Sequence, residues 1–421
     1  MHITRSSVVK FRSTRTALIV VSAAGLLAGG LTGCGVGAVA VSKAASVTAP
    51  GTSGNNAINS TPTTTSSSGT AGNGGSNSAT SSSTGSSTGT TVVVNATKQA
   101  AVRWVTNFGD SITGGWGSSA PQFAYASLLD TAIASPNENL ARAGDQAADM
   151  ARLWVYPNAT PSLASSQLYT VLIGTNDAYA CGGSDGCIEN WRQSLAASLA
   201  WMAVPAGDKV LGNSIVEHSG NWSPDLKNGI ATYAEGASLS FNMRQAVSGR
   251  SLLVAYRVFD VGAGGGAATV RIDGVPVTTL SAEVDTGRAI DTKNGTSDTI
   301  FLAMIPLGEE GEHTITLTTT TAGFFSLQWA GVSSGNYAQV AGAPRVLIGQ
   351  ITSTGSAALN VTVNQYNAKL QQLITALADE GLNIQIVPTA NVLTPGTDFS
   401  DELHPNDAGH LVLAQTFAAS L

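Results

Sequence analysis

The chain has 421 residues, a formal net charge of −7, only 11% charged residues, 6% aromatics and 47 glycines. This length allows roughly two to three domains and a sizeable core. The acidic balance, with no Lys/Arg cluster beyond the N-terminal segment, excludes an ordinary nucleic-acid binder.

Residues 1–34 read as a targeting segment. Arg5, Lys10, Arg12 and Arg15 form a basic stretch, and Ala17 to Ala28 is an apolar run too short to span a bilayer comfortably. It ends in Leu31-Thr32-Gly33-Cys34, which resembles a bacterial lipobox. The resemblance implies that Cys34 is lipidated and begins the mature protein, held on the extracytoplasmic side of a membrane (periplasmic or cell surface) by acyl chains. An ordinary secretory signal with a chance cysteine is the alternative. Residues 35–97 read as a flexible tether. Ser, Thr, Gly and Asn dominate, no charged residue occurs from Ala44 to Thr97, and no aromatic residue lies between Phe11 and Trp104. Such a segment buries too little apolar area to offset its ordering entropy.

Residues 98–212 have an α/β pattern. Strand-like runs at Val102–Thr106 and Leu168–Ile173 alternate with helical stretches, and a helix is expected from Ile188 to Val204, stopped by Pro205. Strands alternating with helices imply a parallel sheet covered on both faces. Residues 213–340 change texture. Short runs follow one another at Ser238–Phe241, Leu252–Tyr256, Thr269–Ile272, Thr314–Leu317 and Phe324–Trp329, with Asp273-Gly274 as a hairpin turn. They predict an inserted all-β sandwich. The α/β pattern resumes over residues 341–421. A strand is expected at Arg345–Gly349, a helix at about Val363–Glu380 with Gly381 as its C-cap, a strand at Asn383–Val387, and a last helix capped by Asn406.

Four segments at the ends of these elements carry chemistry: Gly109-Asp110-Ser111-Ile112, Ala143-Gly144-Asp145, Gly174-Thr175-Asn176-Asp177 and Asp401-Glu402-Leu403-His404. Each alone is an ordinary turn or cap. Together, and in this order, they resemble the four blocks of the SGNH hydrolases, the GDSL esterase/lipase family. The match implies that family's parallel sheet, interrupted here by the sandwich. Ser111 is the candidate nucleophile, and a serine hydroxyl needs an imidazole to take its proton. Of five histidines, His2 lies in the targeting segment, His218 and His313 in the insertion and His410 within the last helix, whereas His404 lies in a strand-to-helix loop. Asp401, three positions earlier, can orient it. The resemblance also implies an oxyanion hole made from the Ser111 and Gly144 N–H groups and the Asn176 side chain. Taken singly, Gly144 is a turn glycine and Asn176 a helix cap. Asp110 is expected to anchor local turns. The family's usual Leu is replaced by Ile112.

Cys181 and Cys187 remain once Cys34 is assigned, and in an exported protein such a pair is expected to form a disulfide. No His or third Cys shares their segment, so a metal is not implied there, and the family resemblance implies no cofactor. The sandwich is similar in general texture to carbohydrate-binding β-sandwiches, with Trp222, Tyr256 and Trp329 as either core or sugar platforms. The sequence reading is therefore a serine-dependent esterase with a carbohydrate O-acyl ester, such as an acetylated polysaccharide, as substrate. A lipase or short-chain lipid esterase is the rival enzyme, and a surface glycan-binding protein with an idle hydrolase domain is the rival of another class.

Overall fold

The computed structural model describes residues 91–94, 102–159, 167–286, 290 and 297–421. Cys34, the targeting segment and most of residues 35–97 lie outside the described residues. One part of the expected tether behaves differently: Val92 is buried and Val94 partly buried against the α/β core. Three consecutive β-branched valines, Val92 to Val94, give this stretch apolar surface that the Ser/Thr/Gly run before it lacks.

The first sheet has five parallel strands. They are β1 (Trp104–Gly109), β2 (Asn137–Asn139), β3 (Gln167–Leu172), β4 (Arg345–Gly349) and β5 (Ile384–Val387), in the spatial order β5-β4-β3-β1-β2. Alternation along the strands feeds two cores. Phe108, Tyr169, Val171, Val346 and Ile348 join one cluster; Val105, Leu168, Leu172 and Leu347 join the other. Helices α1 (Tyr125–Ile133) and α5 (Asp407–Ala419) cover the second face through Leu129, Ile133, Leu413 and Phe417. Helices α3 (Asp185–Ala203) and α4 (Ala357–Asp379) cover the first through Trp191, Leu195, Tyr366 and Leu370. Between β3 and α3 lies the short helix α2 (Thr175–Cys181).

The strand order reverses between β1 and β3, so the carboxyl ends of these two strands open a crevice. Gly109 sits at this point. A Cβ there would lie 2.1 Å from Thr113 Oγ1 and 2.4 Å from the Leu172 carbonyl, so only glycine lets the turn after β1 close on the end of β3.

The inserted sandwich consists of two largely antiparallel sheets. In one, the strands follow the order Val275–Ser281, Ala267–Ile272, Gly311–Thr319, Ser238–Gln245, Glu217–Ser219. Asp273 and Gly274, with φ of 52° and 80°, make the hairpin turn between its first two strands. The other sheet is built around Ser251–Asp260, which pairs with Phe325–Gly331 and Asp298–Pro306. Lys209–Leu211, ahead of the expected boundary at 213, already pairs with Phe325–Gly331.

The strand Ser251–Asp260 is apolar on both faces. Leu252, Val254, Tyr256 and Val258 enter the sandwich core, while Leu253 and Ala255 join Trp201 and Leu195 of α3. Ile300, Leu302 and Trp329 do the same from neighbouring strands. Tyr256 and Trp329 are therefore core residues. A polar seam reinforces the junction: Arg152 donates to Asp298 at 2.7 Å, and Arg257 bridges Asp298 and Asp225.

Candidate active site

The turn after β1 presents Ser111. It is held by Asp110, whose Oδ1 accepts the Ile112 N–H at 2.9 Å, and by backbone bonds from Gly114 to Asp110 and from Trp116 to Ser111. Asp110 thus has the turn-anchoring place expected of it. Burial pushes its carboxyl up to about 7; the Ile112 hydrogen bond works against this shift and the nearby Asp145 adds to it. Its Oδ2 has no hydrogen-bond partner among the described residues. A charged carboxylate there would be poorly compensated.

The loop after β5 brings up His404. His404 Nε2 lies 2.9 Å from Ser111 Oγ, and His404 Nδ1 lies 2.8 Å from Asp401 Oδ2. Asp401 Oδ1 also accepts the N–H groups of Leu403 and His404, each at 2.7 Å. Burial, the largest single influence, raises the Asp401 pKa, but the imidazole and backbone hydrogen bonds together outweigh it and hold the carboxyl below its usual range. An ionised Asp401 can only accept, so Nδ1–H donates to it and Nε2 is left to accept the Ser111 hydroxyl proton. Asn406, as expected, caps α5: its side chain accepts the Gly409 N–H at 3.1 Å.

The other two segments meet at the crevice. The Arg142 N–H donates to the Gly109 carbonyl at 3.0 Å, which lays the loop containing Gly144 beside the turn that carries Ser111. Gly144 has φ of 83°. Asn176, on the first turn of α2, donates from Nδ2 to the Asp145 carbonyl at 3.0 Å, locking the second and third segments together. Asp177 accepts the Ala147 N–H with both oxygens, and burial pushes its carboxyl up to about 8 despite these bonds. A disulfide joins Cys181, the last residue of α2, to Cys187 in the first turn of α3.

Three residues at the site were not singled out from sequence. His410, set aside as a helix residue, is fully buried. It accepts the Tyr125 N–H at Nδ1, 3.3 Å away, and donates from Nε2 to the Trp116 carbonyl at 3.0 Å. Trp116 is 58% exposed, with its ring centroid 5.6 Å from that of His404. Tyr179, on α2, is 69% exposed. A histidine among the apolar positions of α5 and a tryptophan between two glycines were the available signals. Among the described residues, no group of three or more His, Cys, Asp or Glu is arranged to hold a metal ion.

A hydroxyl, an imidazole and a carboxylate stand in series at the carboxyl ends of parallel strands, the arrangement that hydrolytic α/β proteins use. The profile of the GDSL-like lipase/acylhydrolase family matches residues 108–203. Over those residues the α/β domain is similar to this family, the SGNH hydrolases. A search of curated proteins found no match. Among solved structures, the chain is similar to a two-domain esterase active on acetylated mannans, at 13% identity, covering 55% of this chain and 91% of that one, with a TM-score of 0.30. It is also similar to a family 36 carbohydrate-binding module in complex with calcium and xylotriose, at 19% identity, covering 29% and 96%, TM-score 0.22. A family 6 module from Clostridium cellulolyticum in complex with xylose matches at 17% identity, covering 30% and 95%, TM-score 0.23.

Proposed function

We propose that the protein hydrolyses O-acyl esters, with acetylated carbohydrate as the substrate class, through an acyl-enzyme on Ser111. The observation that carries the reading is the 2.9 Å contact between Ser111 Oγ and His404 Nε2, with Asp401 fixing the tautomer from behind. As Ser111 attacks the ester carbonyl, its proton passes to His404. The oxyanion is received by the N–H groups of Ser111 and Gly144 and by the second amide hydrogen of Asn176, whose first is spent on Asp145. The imidazolium then protonates the departing alcohol, and water, deprotonated by His404, frees the acid. Each oxyanion donor in such a hole typically accounts for ~100–1,000-fold in turnover.

A bulky polyol ester is favoured by the exposed aromatics Trp116 and Tyr179 at the rim. Export and anchoring through lipidated Cys34 rest on the N-terminal sequence alone. The test is hydrolysis of p-nitrophenyl acetate, a long-chain p-nitrophenyl ester and acetylated xylan by wild type and Ser111→Ala. Ser111-dependent release of acetate from xylan supports the reading. Preference for the long chain moves the substrate to lipids, and inactivity of folded wild type on all three leaves the glycan-binding alternative.

A further inference from the structure

We propose that the hollow beside the triad is the subsite for the alcohol half of the ester, and that Tyr179 is the platform on which its sugar ring stacks. The inference deepens the carbohydrate-ester reading and rests on it.

The first argument is position. Asn176 and Tyr179 are three residues apart on α2 and share one helix face, so the ring stands beside the oxyanion donor. The helix is short, yet its end is pinned by the Cys181–Cys187 disulfide and by Tyr366, whose hydroxyl donates to the Gly182 carbonyl at 2.9 Å. A large aromatic ring 69% exposed on a fixed element is a preorganised contact surface.

The second is the lining. Tyr179 borders a cavity of about 320 Å³ together with Ser356, Leu359, Asp401, Glu402 and Leu403. One aromatic face, two leucines, a hydroxyl and two carboxylates suit a neutral polyol. The carboxylates disfavour an anion, and they also disfavour burial of an acyl chain against them.

The third is chemistry. Attack forms the Ser111 Oγ–carbon bond while the hydroxyl proton moves to His404 Nε2. Collapse breaks the bond between the acyl carbon and the sugar oxygen, which takes that proton. The alcohol half must therefore lie against His404, and the hollow borders the three residues that precede it.

The test compares full-length wild type, Tyr179→Ala and Tyr179→Phe on acetylated xylo-oligosaccharide and p-nitrophenyl acetate. Tyr179→Ala is expected to lower kcat/KM on the oligosaccharide about tenfold more than on p-nitrophenyl acetate, mainly through KM, as loss of one stacking face implies. Tyr179→Phe is expected to restore the wild-type ratio. An equal loss on both substrates, or a Phe variant as impaired as Ala, overturns the subsite while leaving the esterase reading intact. If wild type cleaves p-nitrophenyl acetate in a Ser111-dependent way but releases no acetate from the oligosaccharide, the carbohydrate reading fails and the subsite fails with it.

Discussion

The Nε2 atom of His410 lies 3.0 Å from the carbonyl oxygen of Trp116, a bond that fastens the last helix to the loop leaving Ser111. The Trp116 N–H in turn donates to the Ser111 carbonyl at 3.0 Å. A second histidine thus supports the site without touching Ser111 or its base. Replacing it by leucine leaves the buried Tyr125 N–H and the partly buried Trp116 carbonyl without this partner, at a cost of about 1–3 kcal/mol. His410→Leu is expected to lower Tm, and a loosened Ser111 turn is expected to lower kcat about ten- to hundredfold. Denaturation curves and esterase kinetics on the same preparation check both effects.

The same histidine sets the acid side of the stability profile. Burial holds its pKa below the ordinary 6.5, with the Trp116 hydrogen bond only partly opposing the shift. The unfolded chain therefore takes up the proton first. The associated stability is present above pH 6.5 and is lost as pH falls through the lower folded value. Wild type is expected to lose Tm on acidification below 6.5 more steeply than His410→Leu. Parallel slopes in the two proteins would contradict this.

On the alkaline side the sign reverses. Asp110 is raised by burial from 3.8 to about 7, and Asp177 to about 8. The folded state holds these protons more tightly than the unfolded one. Their contribution is present below pH 3.8 and is lost as pH rises through about 7 and 8. Asp110→Asn keeps an oxygen for the Ile112 N–H and has no charge to bury. Its Tm is expected to fall less than that of wild type as pH rises from 3.8 to about 7. A steeper fall in the variant would sink the assignment.

Much of this architecture was legible in the chain. Arg345–Gly349 forms the expected strand, and Asn406 and Gly381 cap helices where their residue types suggest. The misses have physical causes. β2 is Asn-Glu-Asn, three exposed polar residues at a sheet edge, so it has no apolar pattern to detect. The first strand was expected at Val102–Thr106 but runs from Trp104 to Gly109, because pairing with Gln167–Leu172 carries it to the crevice. The Asp401–His404 contact was readable since the two residues are close in sequence. His410 and Tyr179 were not, because their roles depend on distant partners. The sharing of a strand between two cores was equally hidden, since Leu252 to Tyr256 reads only as a short apolar run.

That shared strand makes a prediction about cooperativity. Leu253 points away from the sandwich core and into the cluster of α3, where its deletion to alanine should cost about 2–5 kcal/mol. Because the sandwich and the α/β domain are covered by each other there, the mature protein is expected to melt in one calorimetric transition, moved as a whole by Leu253→Ala. Two separable transitions in wild type would show that the sandwich is an independent module.

Asp401 accepts three hydrogen bonds, one from the His404 ring and two from backbone N–H groups. Asp401→Asn can turn its amide toward Nδ1 and favour the tautomer that no longer accepts from Ser111. The expected loss in kcat is up to ~10⁴-fold. A variant within threefold of wild type on p-nitrophenyl acetate would remove Asp401 from the mechanism.

The most direct test of the central claim is labelling with a fluorophosphonate, read by intact mass and peptide mapping. The account expects one adduct, on Ser111, formed much more slowly in His404→Ala and absent in Ser111→Ala. No adduct in folded wild type, or an adduct on another residue that persists in Ser111→Ala, would contradict it.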